Sequence, residues 1–148
     1  MALPKLNTAQ YELTVPSTGK TIEYRPFLVK EEKILLMALE GEDEKEMAKA
    51  IKQILSQCIL TENFKMDNLA LVDVEYIFLK VRGKAVGDKS KIYIVCTNTE
   101  CENKIEIELN LEEVKIDTHK DHTDLIKLTD DIQVRMVPPR NGIFDGYC

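Results

Sequence analysis

The sequence predicts an α+β fold: an N-terminal β-hairpin, a three-helix segment, and then an antiparallel β-hairpin with further strands. Apolar residues alternate with polar ones near the N-terminus, recur every three or four residues through the middle of the chain, and alternate again beyond Gly87. A length of 148 residues suits a single domain, residues 1–148. A candidate subdomain seam lies near 83–90, between a helical part (27–83) and a β-rich part (88–138).

The first hairpin is predicted from alternation on both sides of a turn. Tyr11, Leu13 and Val15 alternate with polar residues. After the turn sequence PSTG, Ile22 and Tyr24 alternate in the same way. We therefore expect two strands that share one apolar face.

Two helices are expected after this hairpin. The first lies within LVKEEKILLMALEG (28–41), which has acidic residues in its first turn and Gly41 just past its end. The second begins near Glu42 and is the most regular, because its apolar residues recur at helical spacing on one face. The apolar positions are Ile34, Leu35, Ala38 and Leu39 in the first helix and Met47, Ile51, Ile54, Leu55 and Cys58 in the second.

A third helix is expected from about Asp67 to Arg82. Asp67 is a suitable N-terminal cap, and Gly83 is a suitable stop. Apolar residues occupy nearly all sides of this helix. We therefore expect it to lie centrally or to present one side to a partner.

The second hairpin is predicted where the apolar period changes to two. Strands at 91–96 (KIYIVC) and 104–109 (KIEIEL) flank a polar tip at 97–103. Further strand candidates lie at 111–116 and 132–137. A Pro-Pro pair ends the last one, because proline has no N–H to donate to a sheet.

Composition excludes several classes of protein. The chain has 20 Lys and Arg residues against 26 Asp and Glu residues, a net charge of -6, so no broad positive field favours nucleic acid as a partner. Its apolar runs are far shorter than the roughly 20 residues of a membrane-spanning helix, and no signal peptide is recognisable. Its cysteines are too few for a disulfide scaffold. We expect a cytoplasmic protein with no disulfide, no cofactor, and no membrane or nucleic-acid partner.

Cys96, Cys101, His119 and His122 are the candidate metal ligands. Two thiolates and two imidazoles suit tetrahedral zinc, and their order along the chain is that of a zinc finger. The spacing fits a finger poorly, and the histidines lie in a charged stretch, DTHKDHTD, typical of a solvated loop. The sequence favours a plain hairpin tip with reduced thiols. A small zinc-binding regulator or adaptor is the alternative.

No catalytic residue is predicted. Asp117, Asp121 and Asp124 form an acidic loop without the glycine and the closing glutamate of a calcium loop. The segment 83–90 resembles a phosphate-binding loop, but its glycines are too close together and it leads from helix to strand, the reverse of what such a loop needs. No serine lies in a G-x-S-x-G elbow. An over-apolar helix and open strand edges favour a binding or assembly role instead.

Tyr24, Arg25, Pro26 and Phe27 are the first candidates for a protein interface. They lie at the junction between the second strand and the first helix. A corner that faces the core is the favoured interpretation, and a contact surface is the alternative. Substituting Phe27 by alanine distinguishes the two, because a core residue gives unfolding with no separable binding defect.

Three stretches of the sequence carry a resemblance to a known family. They are MALPKLNTAQYELTVPSTGKTIEYRPFLVKEEKILLMALEG, DVEYIFLKVRGKAVGD and LTDDIQVRMVPP. They resemble the baseplate hub subunits and hub assembly proteins of contractile-tailed bacteriophages. The resemblance covers nearly the whole chain and is strongest over 3–41 and 72–87.

The resemblance implies a non-enzymatic part in building the central hub of the phage baseplate, as a component or as an assembly factor. It implies other phage baseplate hub proteins as partners and is compatible with a homo-oligomer. It places the protein in the cytoplasm of the infected host and in the virion tail baseplate. Members of that family often extend beyond the position equivalent to Pro139, so we expect a short member or a truncated one. The family implies no requirement for Cys96 and Cys101.

Overall fold

Strand pairs lie on both sides of a three-helix segment along the chain. The computed structural model describes residues 8–41, 43–97, 101, 103–117 and 119–139. Its strands are β1 (Tyr11–Thr14), β2 (Thr21–Tyr24), β3 (Lys89–Val95), β4 (Lys104–Asn110), β5 (Leu125–Lys127) and β6 (Gln133–Arg135). Its helices are α1 (Val29–Glu40), α2 (Glu44–Cys58) and α3 (Leu71–Val86), with a 3-10 turn at Met66–Asn68. The described strands form three separate antiparallel pairs, β1–β2, β3–β4 and β5–β6, and the predicted α+β order is confirmed.

The first hairpin and the helices enclose the hydrophobic core. Tyr11 pairs with Tyr24 and Leu13 pairs with Ile22, so their side chains share one face as the alternation predicts. This face joins the apolar stripes of α2 and α3 in one cluster. The buried members of the cluster are Val15, Ile22, Tyr24, Phe27, Ile54, Leu55, Cys58, Met66, Leu69, Val74, Ile77 and Val81.

Backbone hydrogen bonds join the end of α2 to β2. Arg25 N–H donates to the Cys58 carbonyl at 2.9 Å, and Leu60 N–H donates to the Glu23 carbonyl at 2.8 Å. The Cys58 side chain is fully buried, and burial raises the pKa of its thiol to about 11. The thiol therefore stays protonated at neutral pH and packs as a small apolar group.

A buried carboxylate anchors the turn of the first hairpin to α3. Asp73 lies in the first turn of α3 and is fully buried. It accepts hydrogen bonds from the backbone N–H of Ser17, at 3.0 Å, and from the Ser17 hydroxyl. A negative charge in this position also interacts favourably with the helix dipole. The turn is therefore held against the start of α3.

The corner between β2 and α1 is built around a buried carboxylate. Glu31 is fully buried, and Arg25 Nη2 donates to its Oε1 at 3.0 Å. Leu28 N–H donates to its Oε2 at 2.7 Å, which satisfies a backbone donor at the start of α1. Burial alone would raise the pKa of Glu31, but the hydrogen bonds from Arg25 and Leu28 outweigh it. The pKa of this carboxyl therefore lies below its ordinary value of 4.5.

We expect acid to destabilise the fold through Glu31. A carboxylate whose pKa is lower in the folded chain contributes stability above its unfolded pKa and loses it as the pH falls through the folded pKa. The contribution of Glu31 should therefore be complete above about pH 5 and should decline below about pH 4.5. Denaturant unfolding curves at a series of pH values check this. A Glu31→Gln variant with the same acid dependence as the native protein would contradict it.

Helix α3 departs from its predicted bounds at both ends. Asp67 lies in the 3-10 turn before α3 and does not cap the helix. Gly83 is a buried residue inside the helix, packed against Leu111. The helix ends at Gly87, whose φ of +133° suits glycine. The predicted bounds at Asp67 and Gly83 are wrong, because the sequence alone does not show which residues cover these positions.

The strand predictions beyond β4 hold in part. Residues 111–116 form a turn and an irregular segment, so the predicted strand there is wrong. Three backbone carbonyls within this segment converge on the amine of Lys80, which an extended strand does not allow. The strand predicted at 132–137 is confirmed as the shorter β6. The sequence does not predict its partner β5, because three residues are too few to show an alternating pattern.

Candidate interaction surface

The β3–β4 hairpin is amphipathic along its whole length. Its register pairs Ile92 with Ile107 and Ile94 with Ile105, so the four isoleucines share one side of the sheet. Leu109 extends this side, and we call the five residues the apolar face. Ile94 is 49% exposed and Ile105 is 59% exposed. The hairpin therefore presents a contiguous apolar face to water.

The other side of the hairpin, which we call the ionic face, is charged. Lys89 Nζ lies 2.6 Å from Glu108 Oε1, and Lys91 Nζ lies 2.6 Å from Glu106 Oε1. The Tyr93 hydroxyl and Glu106 Oε2 are 3.1 Å apart. The hydrogen bond between Lys89 and Glu108 lowers the pKa of the glutamate and raises the pKa of the lysine. These exposed pairs keep the ionic face hydrated and align the two strands.

The apolar face has no cover from another strand within the part of the chain that the structure describes. There, β3 pairs only with β4, and the two strands contact chiefly each other. A two-stranded hairpin by itself is marginally stable in water. Contiguous exposed apolar residues mark sites of protein interaction. The hairpin is therefore suited to bind a partner that covers its apolar face.

Two lysines of α3 join the base of the hairpin to the helices. Lys80 Nζ donates to the carbonyls of Leu111, Glu112 and Val114, at 3.0, 2.8 and 2.9 Å. Burial lowers the pKa of Lys80 below its ordinary value. Lys84 forms an ion pair with the Glu112 carboxylate, which raises the pKa of the lysine. These contacts hold the segment that follows β4 against α3.

Replacing Lys80 with methionine should loosen the hairpin. Methionine keeps much of the aliphatic chain but donates to none of the three carbonyls, so we expect a loss of about 1–2 kcal/mol in stability. Amide hydrogen exchange should accelerate in β3 and β4 more than in α2. Lys33→Met, at an exposed position of α1, is the matched control and should have little effect. Equal exchange rates in the two variants would show that Lys80 is not an anchor.

A second exposed apolar region surrounds β5 and β6. Ile126 pairs with Val134 across this short hairpin. Leu71 N–H donates to the Pro139 carbonyl at 3.0 Å, which ties the end of the described chain to the start of α3. The exposed apolar residues of the region include Leu125, Ile126, Leu128, Ile132, Met136 and Val137. This region is a second candidate for contact with another protein.

The helices carry an apolar groove of about 650 Å³. Leu39 of α1, Met47 and Ile51 of α2, and Phe78 of α3 belong to its walls. Asp43 and Glu75 add acidic groups. The rest of the lining is apolar, so its chemistry suits an apolar segment of a partner.

The corner predicted as an interface lies largely in the core. Tyr24 and Phe27 are buried. Arg25 bonds to Glu31 and also donates to the Pro26 carbonyl at 2.9 Å. Pro26 is half-buried. A contact role for these four residues stays a prediction.

The four candidate zinc ligands are not gathered in one site in the described structure. Cys96 and Cys101 are half-buried free thiols at the tip of the second hairpin, where Cys96 N–H donates to the Asn103 carbonyl at 3.0 Å. His119 and His122 lie in an exposed turn further along the chain. Among the described residues, no three side chains of His, Cys, Asp or Glu are close enough together to hold a metal ion.

The protein family of this chain follows from a match to a family model. Residues 8–144 match the family model described as T4 bacteriophage base plate protein. The chain belongs to this family. A search of curated proteins and a search of solved structures gave no match. The resemblance to phage baseplate proteins is confirmed, and a structural role in the base plate of the virion tail, among other base plate proteins, follows from it.

No helix within the described ranges of this base plate protein is both long and apolar enough to cross a membrane.

The acidic loop is exposed, and Asp124 Oδ2 lies 3.4 Å from Arg135 Nε. The segment 83–90 leads from α3 into β3, which is the order that the sequence indicates and the reverse of a phosphate-binding loop. Within the part of the chain that the structure describes, neither segment contributes to a cluster of His, Cys, Asp or Glu side chains that could hold a metal ion.

Metal analysis tests the zinc alternative directly. We expect base plate protein purified under reducing conditions to contain far less than one zinc ion per chain, as measured by elemental mass spectrometry. We also expect Cys96→Ser to leave the thermal unfolding midpoint unchanged. Stoichiometric zinc that is lost in Cys96→Ser would restore the alternative, since a structural zinc ion adds folding free energy.

The apolar face is the feature that sequence reasoning missed. The sequence predicts both strands and open edges, but it directs attention to the corner at Tyr24–Phe27 instead. The signal lies in KIYIVC and KIEIEL, which place isoleucines two residues apart on each strand. Pairing the two strands in a hairpin then brings the isoleucines to one side, opposite the lysines and glutamates.

Proposed function

We propose that this base plate protein is a component or assembly factor of the central hub and acts through non-covalent contacts with other hub proteins. Membership of the base plate family supports a structural role. The resemblance of three stretches to hub proteins supports the hub as its place. On this proposal the protein performs no catalysis and enters assembly in the cytoplasm of the infected host, and as a component it remains among hub proteins of the tail.

The apolar face of the β3–β4 hairpin carries this proposal. Fully burying an Ile or Leu side chain contributes about 1.5–3 kcal/mol, and the partly exposed residues of this face retain a share of that. Covering several of them at once gives a partner a hydrophobic centre, while the charged residues beside it form a polar rim. Such a rim contributes to the choice of partner and to the register of binding.

Two adjacent residues of β3 allow a matched test. Ile94 and Val95 are exposed to similar extents, 49% and 54%, but lie on the apolar and the ionic face respectively. We compare Ile94→Glu with Val95→Glu, which change the net charge equally. The full chain is co-expressed with the hub proteins of the same phage, and binding is measured by co-purification and titration calorimetry.

The proposal predicts that Ile94→Glu weakens binding at least about tenfold, because a buried carboxylate replaces an apolar contact. Val95→Glu should stay within about twofold of the native protein, since its side chain faces water and Lys104. Circular dichroism of each variant confirms that the helices remain folded. Equal binding of the two variants to every hub protein would contradict the apolar face as the contact.

The predicted contact at Tyr24–Phe27 is tested with the same partners. The burial of Phe27 leads us to expect that Phe27→Ala lowers stability and binding together. A variant that keeps its native unfolding midpoint but loses binding would instead assign this corner to the interface.

A further inference from the structure

Both edges of the β3–β4 sheet are open in the described chain. Each strand is seven residues long and pairs on one side only. Alternate backbone N–H and C=O groups therefore point outward from each strand, which is the arrangement that accepts a further strand. The β3 edge carries Lys89 and Lys91, and the β4 edge carries Glu106 and Glu108, with Lys104 at its start opposite Val95. The two edges are opposite in charge on the same side of the sheet.

These charges discriminate between the ways in which two copies of the chain could pair. When β4 meets β4 of a second copy with full antiparallel overlap, Glu106 lies opposite Glu108, and like charges in that position repel. When β3 meets β3 in the same way, Lys91 lies opposite Tyr93 and gains no ion pair. Neither symmetric arrangement is favoured.

Pairing β4 of one copy with β3 of the next gives a different result. The register already present within the hairpin places Glu108 opposite Lys91 and Ile107 opposite Ile92. Repeating this register between copies puts glutamates beside lysines and isoleucines beside isoleucines. It is also stereochemically consistent, because the backbone groups left free on the outer sides of β3 and β4 belong to residues that this register places opposite each other.

We propose that this chain associates with second copies of itself head to tail, with β4 of one copy antiparallel to β3 of the next. All hairpins then point the same way, and the apolar faces join in one continuous surface. A head-to-tail interface closes into a ring if its rotation closes. The inference goes beyond the proposed hub role and rests on it only in that the joined apolar face remains available to a hub partner.

A charge-exchanged variant tests the pairing. The variant combines Lys89→Glu, Lys91→Glu, Glu106→Lys and Glu108→Lys, which leaves the net charge and the internal ion pairs unchanged in number. Copies of the variant still pair an acidic edge with a basic one. A mixed pair of variant and native chains instead brings together two acidic edges or two basic edges, which repel. Native protein and a mass-tagged variant are examined separately and after mixing, by sedimentation velocity and native mass spectrometry at low salt, where exposed charges are least screened.

We expect each protein to self-associate and mixed complexes to fall at least about fivefold below the statistical proportion. Statistical mixing would overturn the proposal and would point to contact through the apolar faces. A native chain that remains monomeric at its highest soluble concentration would also overturn it. No hub protein is present in these mixtures, so the result is independent of the binding test with Ile94→Glu.

Two half-exchanged variants provide a second test, and because each loses the ion pairs within its own hairpin, amide hydrogen exchange of β3 and β4 first verifies that the hairpin is formed. The Lys89→Glu, Lys91→Glu chain has two acidic edges, and the Glu106→Lys, Glu108→Lys chain has two basic edges. Each alone should associate less than the native protein, and mixing them should restore association. Failure of the mixture to associate would contradict pairing through these edges.

Discussion

Replacing Glu31 with alanine should lower the free energy of unfolding by about 3 kcal/mol. The substitution leaves the Arg25 guanidinium, only 12% exposed, without its carboxylate partner. It also leaves Leu28 N–H at the start of α1 without the acceptor that Glu31 supplies at 2.7 Å. Removing one member of a buried pair costs more than the pair contributes, because the remaining charge stays desolvated. Denaturant unfolding followed by circular dichroism measures the loss.

Glu32 provides the matched control for this prediction. It is the next residue of α1, carries the same side chain and is exposed, so Glu32→Ala should change stability by less than about 0.5 kcal/mol. Replacing the pair together, Arg25→Met with Glu31→Leu, should recover part of the loss, since no buried charge is then left alone. Equal effects of Glu31→Ala and Glu32→Ala would show that the corner does not depend on the buried pair.

Periodicity predicts the helices of this protein well and their ends less well. The inward face of α2 is correct at Ile54, Leu55 and Cys58, because an amphipathic helix has one way to bury a regular apolar stripe. The ends of α3 depend instead on tertiary contacts. Gly83 lies inside the helix, where Leu111, distant in sequence, is close to it. A local stop signal cannot report such a contact.

The candidate surface is only partly predictable for a related reason. Alternation in KIYIVC and KIEIEL predicts two strands and, once they are paired, an apolar and an ionic face. Whether that apolar face meets the protein's own core or a partner depends on how the hairpin is positioned relative to α3. Lys80 holds the segment that follows β4 against α3 through three backbone carbonyls, and backbone carbonyls leave no trace in the sequence pattern. The sequence favours a core position for the corner around Phe27, and the burial of Tyr24 and Phe27 agrees with that interpretation.

Isoleucine occurs both in the core and on the hairpin, so the stability cost of the same substitution can be compared at a buried and at an exposed position. Ile77 lies in the middle of α3, is fully buried and belongs to the central apolar cluster. Ile77→Ala should lower the free energy of unfolding by about 2–5 kcal/mol, because it removes buried methyl and methylene groups and leaves a cavity. Chemical denaturation of the isolated chain measures this change.

Ile94→Ala removes the same atoms from the apolar face and should lower the stability of the isolated chain by less than about 1 kcal/mol, since its side chain is half exposed already. The ranking of the two substitutions should reverse when affinity for a hub partner is measured instead of stability. Ile94→Ala should then reduce affinity, whereas Ile77→Ala should reduce it only by the fraction of chain that is unfolded. An Ile94→Ala variant as unstable as Ile77→Ala would mean that the hairpin is packed against the core and offers no free face to a partner.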